Sequence, residues 1–162
     1  MEKPEFPEQN HLLWKAFFYI AGISVLFVWN SVLGLTDYWS MKYRDGVQNS
    51  YGFYFNVGQL LAFLFFDKLN RLIHFRIHII IWPVFNICMF YLYIIVGETM
   101  TGENNESLRC WIFLGGCFLQ GFANNTLQCC LSRFVFNFGG TAINSYNAGV
   151  SIAGVSCTFI AF

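Results

Sequence analysis

Charge is what this sequence has least of. Only 11% of its 162 residues are Asp, Glu, Lys or Arg, against about 25% in ordinary soluble domains. Nine basic and nine acidic residues cancel, so no net field draws the chain to nucleic acid or to an acidic ligand. Histidine is equally scarce: His11, His74 and His78 are all there are. Carboxylates are absent from every long apolar stretch, so the acid and base pairs of hydrolytic sites have no place to assemble at one depth. What remains is 56% hydrophobic and 20% aromatic, with a mean hydropathy of +0.49. That composition argues against a water-soluble domain and for a membrane protein.

All eighteen charges fall outside five windows, residues 16–36, 46–66, 77–97, 110–132 and 134–162. Each window holds at least 21 residues, and about 20 apolar residues cross the hydrocarbon core as a helix. Backbone groups in lipid must bond internally, and barrel-type alternation is missing, so the windows are read as helices. The expected fold class is an all-α membrane protein with about five transmembrane helices. A cytosolic tail, residues 1–15, precedes a helical bundle over 16–162. The second window is the least apolar, because Gln48, Asn49 and Ser50 open it. The tail holds Glu2, Glu5 and Glu8 with few basic residues, so the first apolar run reads as an uncleaved anchor.

Orientation follows the positive residues, which stay on the cytosolic side. With the N-terminus inside, Lys3, Lys15, Lys68, Arg71, Arg76 and Arg133 are cytosolic and Lys42, Arg44 and Arg109 are not, a bias of six to three. The acidic stretch before the fourth span contains Asn105, Glu106 and Ser107, an N-glycosylation acceptor pattern that works on the lumenal side alone. A multi-pass protein of the plasma membrane, with a cytosolic N-terminus, is expected.

His74 and His78 are four apart, on one helical face as metal ligands require. No third ligand accompanies them, and a snorkelling pair at the cytosolic helix end is the better reading. The six cysteines lie in or at the edge of spans and read as packing residues. No metal, cofactor or catalytic residue is expected.

The informative pattern is uncharged polarity at helical spacing. Cys117, Gly121, Asn124, Gln128 and Ser132 follow steps of four, three, four and four. Gly140, Asn144, Asn147, Ser151, Gly154 and Thr158 do the same in the last span. Each set forms one stripe. An amide in hydrocarbon costs several kcal/mol, about 2–7, so such stripes should face protein or a wet pathway. The first span adds Gly22, Leu26, Trp29 and Leu33 on one face, with Asn30 beside Trp29. An indole next to amides suits a flat polar heterocycle. Asn56 and Gln59 add two more amides in the second span.

These residues resemble the equilibrative nucleoside transporter family, of the major-facilitator type. The run VLFVWNSVLGLTDYW, 25–39, is similar to that family's Trp-Asn motif with its aromatic exit. NVGQLLAFLFF, 56–66, is similar to its Asn-Val start, and Arg76 to an arginine at its cytosolic end. LQCCLSRFVFNFGGTAINSYNAGVSIAG, 127–154, follows without a gap the family's run across the fourth and fifth helices. Val28, Arg133 and Gly139 depart from it.

The resemblance implies a partial N-terminal bundle of a major-facilitator-like fold and transport of nucleosides or nucleobases by alternating access, without a cofactor. It implies a substrate site that includes Trp29, Leu26, Asn30, Leu33, Phe63 and Gln128, with Arg76, Gly154, Asn124 and Asn144 in gating or packing. The partners it implies are the substrate, the bilayer and the C-terminal helices of the same transporter, since that family has eleven spans; nucleic acid is not among them. On this reading the chain is an N-terminal fragment. The alternative from another class is a multi-pass interaction or receptor-like protein that does not transport.

Overall fold

The computed structural model describes residues 11–43, 47–102 and 105–160, with side chains as far as 155. The described chain is all-helical. In order the helices are α1 (His11–Gly34), α2 (Thr36–Lys42), α3 (Val47–Leu72), α4 (Phe75–Thr99), α5 (Glu106–Phe136) and α6 (Gly140–Ile160). Two of them, α1 and α4, are long enough and apolar enough to cross a bilayer by length and composition. In α3, α5 and α6 the length is there, but glycines, amides and hydroxyls dilute the apolar runs.

The helix limits differ from the charge-free windows in a consistent direction. Charge marks where hydrocarbon would have to end, not where a helix must, so α3 runs on through Asp67, Lys68 and Arg71 and α5 begins at Glu106. Both ends suit the helix dipole, with an acid in the first turn of α5 and a base in the last turns of α3 and α5. The short α2 was not anticipated. It carries Asp37 in its first turn and Lys42 in its last, and it buries Trp39 completely. Pro83 sits inside α4, where it has no N–H to offer the carbonyl one turn back.

The chain divides into two compact units. Of the described residues, one combines 11–34 with 128–160, and the other takes those between 35 and 127. The first is built on α1 against α6, which run parallel. The stretch of α1 around Leu12 to Tyr19 meets Thr141 to Ala148, Gly22 meets Tyr146 and Val150, and Asn30 meets Gly154. Two glycines set this spacing. A Cβ on Gly22 would overlap the Tyr146 carbonyl oxygen and lie 2.9 Å from the Val150 nitrogen, and one on Gly149 would overlap the Tyr19 carbonyl. Aromatic rings close one end. Trp14 stacks on Phe138 at 5.7 Å, and Phe18 packs on Phe134 and Phe138 at 6.1 and 5.4 Å.

The second unit uses the same device between α3 and α5. A Cβ on Gly58 would overlap the Phe118 carbonyl, and one on Gly121 the Phe55 carbonyl. Asn125 Nδ2 donates to the Gln59 carbonyl at 2.8 Å on the same seam. An aromatic core of Trp39, Tyr43, Tyr93 and Phe113 joins α2, α4 and α5, with ring centroids 4.5 to 6.1 Å apart.

Replacing Gly22 or Gly149 by Val inserts bulk where backbone already stands, and overpacking of this kind typically costs about 1–3 kcal/mol. Thermal unfolding in detergent should show a clear loss for both variants. Gly115→Ala is the control: its Cβ would meet nothing within 4 Å, and alanine favours the helix by up to about 1 kcal/mol.

Candidate functional site

Within the first unit, Leu26, Trp29 and Asn30 lie half-buried on α1 and Gln128 half-buried on α5. Leu33 is exposed at 42%. Asn30 is brought to the last helix, where a Cβ on Gly154 would stand 3.9 Å from its Nδ2. The small residues of α6 point inward and its amides outward. Ala142, Tyr146, Gly149 and Ala153 are buried, while Gly140, Asn144, Asn147 and Ser151 are exposed; Thr158 falls where side chains are not described. Asn144 lines an open groove of about 540 Å³ together with Lys15, Tyr19 and Thr141. So the α6 stripe expected from spacing is a surface from Gly140 to Ser151 and meets α1 at Gly154, beside Asn30. Its hydroxyls turn back on their own helix: Ser145 and Ser151 donate to the carbonyls of Thr141 and Asn147, both at 3.0 Å.

In the second unit the α5 stripe is enclosed. Cys117, Gly121 and Asn124 are buried, and the buried face also takes in Gln120, which the spacing argument passed over. Gln120 Oε1 accepts from the Tyr93 hydroxyl at 3.0 Å. Its Nε2 finds no partner, and neither do Asn124 Nδ2 and Asn86 Oδ1, all on buried side chains. An orphaned buried polar atom costs about 1–3 kcal/mol, so three together are a large share of the stability of a whole small domain, about 5–15 kcal/mol.

His78 does not snorkel. It is fully buried, and its Nδ1 accepts from Trp82 Nε1 at 2.7 Å. That bond leaves the proton of a neutral imidazole on Nε2. His74 instead caps α4, its Nδ1 accepting from the Arg76 backbone N–H at 3.3 Å. The two histidines therefore do different work despite their four-residue spacing. Arg76 is exposed in the first turn of α4, and Phe63 is 68% exposed on α3. No cluster of three or more His, Cys, Asp or Glu suited to a metal occurs among the described residues.

A polar clasp sits where α2 meets the end of α4, beyond the 77–97 window. Glu98 accepts from the Tyr38 hydroxyl at 2.8 Å and from Lys42 Nζ at 2.7 Å, and the Lys42 ammonium lies 5.9 Å from the centre of the Tyr38 ring. Nearby, Arg109 donates to the carbonyls of Met100 and Tyr43, at 2.9 and 3.4 Å. The Tyr43 hydroxyl donates to the Tyr93 carbonyl. Partial burial, and then the bond to Glu98, push the Tyr38 phenol up to about 12. The bonds from Lys42 and Tyr38 hold the Glu98 carboxyl below its ordinary range.

Two signals could have located these groups in the sequence. Gln120 follows Cys117 by three and precedes Asn124 by four, which puts it on the same face. Tyr93, Asn86 and His78 repeat at seven and eight along α4. No protein-family model, no curated protein and no solved structure matches this chain.

A carboxyl depressed on folding stabilises the fold above its unfolded pKa and loses that contribution as pH falls through the folded value. The clasp should therefore open in acid, with the α2 end gaining hydrogen exchange, and Glu98→Gln should remove the pH dependence of that exchange. In a UV difference titration the same substitution should bring the Tyr38 phenol down from about 12.

Proposed function

We propose that this chain belongs to a multi-pass membrane protein that moves nucleosides or nucleobases across the bilayer by alternating access, without covalent chemistry. The observation that carries this reading is the grouping of Trp29, Asn30 and Gln128 in one unit, each half-buried. An aromatic plane and two amides, each half-buried in the same unit, are the kinds of group that a flat heterocycle with donor and acceptor edges needs. The sequence resemblance points to the same residues.

Five spans with a cytosolic N-terminus, in the plasma membrane, complete the proposal. The parallel run of α1 and α6 supports this count, because a first and a fifth span cross in the same direction. The outward amides Asn144 and Asn147 support a wet lining, since in hydrocarbon each would stay unsatisfied. On this reading Trp29 stacks on the base, Gln128 hydrogen-bonds its edge, Leu26 and Leu33 flank it, and Arg76 belongs to the cytosolic gate. Phe63, 68% exposed on α3, contributes least to this site.

One observation favours a second reading, that of a membrane interaction protein that does not transport. Gly22, Gly149, Gly58 and Gly121 all serve close helix contact, as assembly motifs do. Uptake separates the two. In proteoliposomes carrying the full-length protein, labelled nucleoside should enter the vesicles. Trp29→Ala should weaken its affinity about fivefold or more, since stacking on one aromatic contributes about 1–3 kcal/mol. Gln128→Ala should weaken affinity and blur the choice among bases. No uptake by the unmodified protein would favour the second reading.

Orientation is checked by glycosylation. Asn105 is exposed just ahead of α5, and in secretory-pathway expression it should carry a glycan that Asn105→Gln abolishes. An unglycosylated Asn105 with a glycan on an N-terminal tag would reverse the proposed direction.

A further inference from the structure

The seam between α4 and α5 is closed at several points. The Tyr93 hydroxyl bonds to Gln120 Oε1 at 3.0 Å. Side chains of Tyr93 and Met89 fill the place a Cβ on Gly116 would take, the Met89 Cε standing 2.8 Å from it. Trp82 meets Phe122 edge to face at 6.3 Å. Yet this seam carries polar groups that no protein atom satisfies: Gln120 Nε2 and Asn124 Nδ2 from α5 and Asn86 Oδ1 from α4. Their side chains are between 1 and 2% exposed, so bulk solvent does not reach them.

The chemistry of the three atoms is specific. Two are amide N–H donors and one is an amide acceptor. Gln120 and Asn124 are one turn apart on one face of α5. Asn86 shares the buried face of α4 with Tyr93, the residue that grips Gln120. A hydrocarbon side chain could not serve such a set, and an ion would meet no opposite charge. A molecule that both donates and accepts in little space meets the need, and water is the smallest that does.

We propose that the α4–α5 seam is a buried water-binding site, held by the side-chain amides of Asn86, Gln120 and Asn124. Water there bridges the two donors to the acceptor and so converts three orphaned groups into a network. The seam then remains exchangeable: helices joined through water can shift by a fraction of a turn and re-pair, whereas a dry amide contact would have to break first. This site does not depend on which solute, if any, the protein carries.

Hydroxyl-radical footprinting in oxygen-18 water tests the proposal on the full chain in lipid nanodiscs. Radicals generated from water in place label side chains beside it even where bulk solvent is excluded. Met89 and Tyr93, at 9% and 0% exposure, should take up the label. Phe18, at 0% exposure in the other unit, carries no polar side-chain atom; it is the buried reference and should take up little. Absence of label on both Met89 and Tyr93 overturns the site. The pair of variants Asn86→Leu and Asn124→Leu gives a second readout by thermal unfolding. Around water each substitution strands its former neighbours and lowers the melting temperature. In a dry seam each removes an orphan and raises it, which also overturns the proposal.

Discussion

Backbone touches backbone in this protein, and glycine is what permits it. Gly22 and Gly149 face each other's helices reciprocally across α1 and α6, and Gly58 and Gly121 do the same across α3 and α5. At these four positions even a methyl group would stand inside a carbonyl. In lipid, helices have no hydrophobic incentive to associate, and close approach with its dispersion contacts takes over that role. Once a pair of helices is locked at this distance, their rotation about their own axes is fixed as well. Every other side chain on them then has its direction assigned.

That assignment is what makes α6 unusual. Gly149, Ala142 and Ala153 need the inward face, so Asn144, Asn147 and Ser151 have nowhere to go but out. The helix is amphipathic in an inverted sense for a buried bundle: small apolar residues inside, amides outside. In α5 the reverse holds from Glu106 to Leu127. Gly121 pins the helix against Phe55, and Asn124 and Gln120 are drawn inside with it. The same residue type is thus spent in two ways, and the position of a nearby glycine decides which.

Helix class and the presence of polar stripes were legible from spacing, because a 3.6-residue period writes itself into the order of side chains. Which stripe faces what was not, since that depends on partners distant in sequence. The glycine pairs illustrate the limit. Gly115 and Gly116 look alike, yet a Cβ on Gly115 meets nothing and one on Gly116 meets Tyr93 and Met89. Gly139 is used for its backbone, at φ +88° between α5 and α6, a conformation that other residues adopt with strain. The short α2 is not legible from charge-free runs, because Asp37 in its first turn and Lys42 in its last interrupt them. His78 was assigned to the surface by its place near a helix end. Its burial follows from Trp82 one turn on, whose indole needs an acceptor and finds one at Nδ1. Of the candidate substrate residues, the sequence placed Trp29, Asn30 and Gln128 in a resembling motif; that they share one unit is a property of the fold.

The outward amides of α6 constrain the surroundings whichever function holds. Asn144 and Asn147 each bring donors and an acceptor, and although helix carbonyls can take a side-chain donor, as they do from Ser145 and Ser151, the helix N–H groups are used up and offer the amide oxygens nothing. Against hydrocarbon they would stay unpaired, at several kcal/mol each, about 2–7 by transfer measurements. Against water they incur nothing, and against another polar helix they can be matched. A lipid-facing α6 is therefore the one arrangement that physical chemistry disfavours. The groove that Asn144 shares with Lys15 and Tyr19 opens on that same face, so the polar side of the first unit is continuous from the start of α1 along α6, and it must border either solvent or further protein.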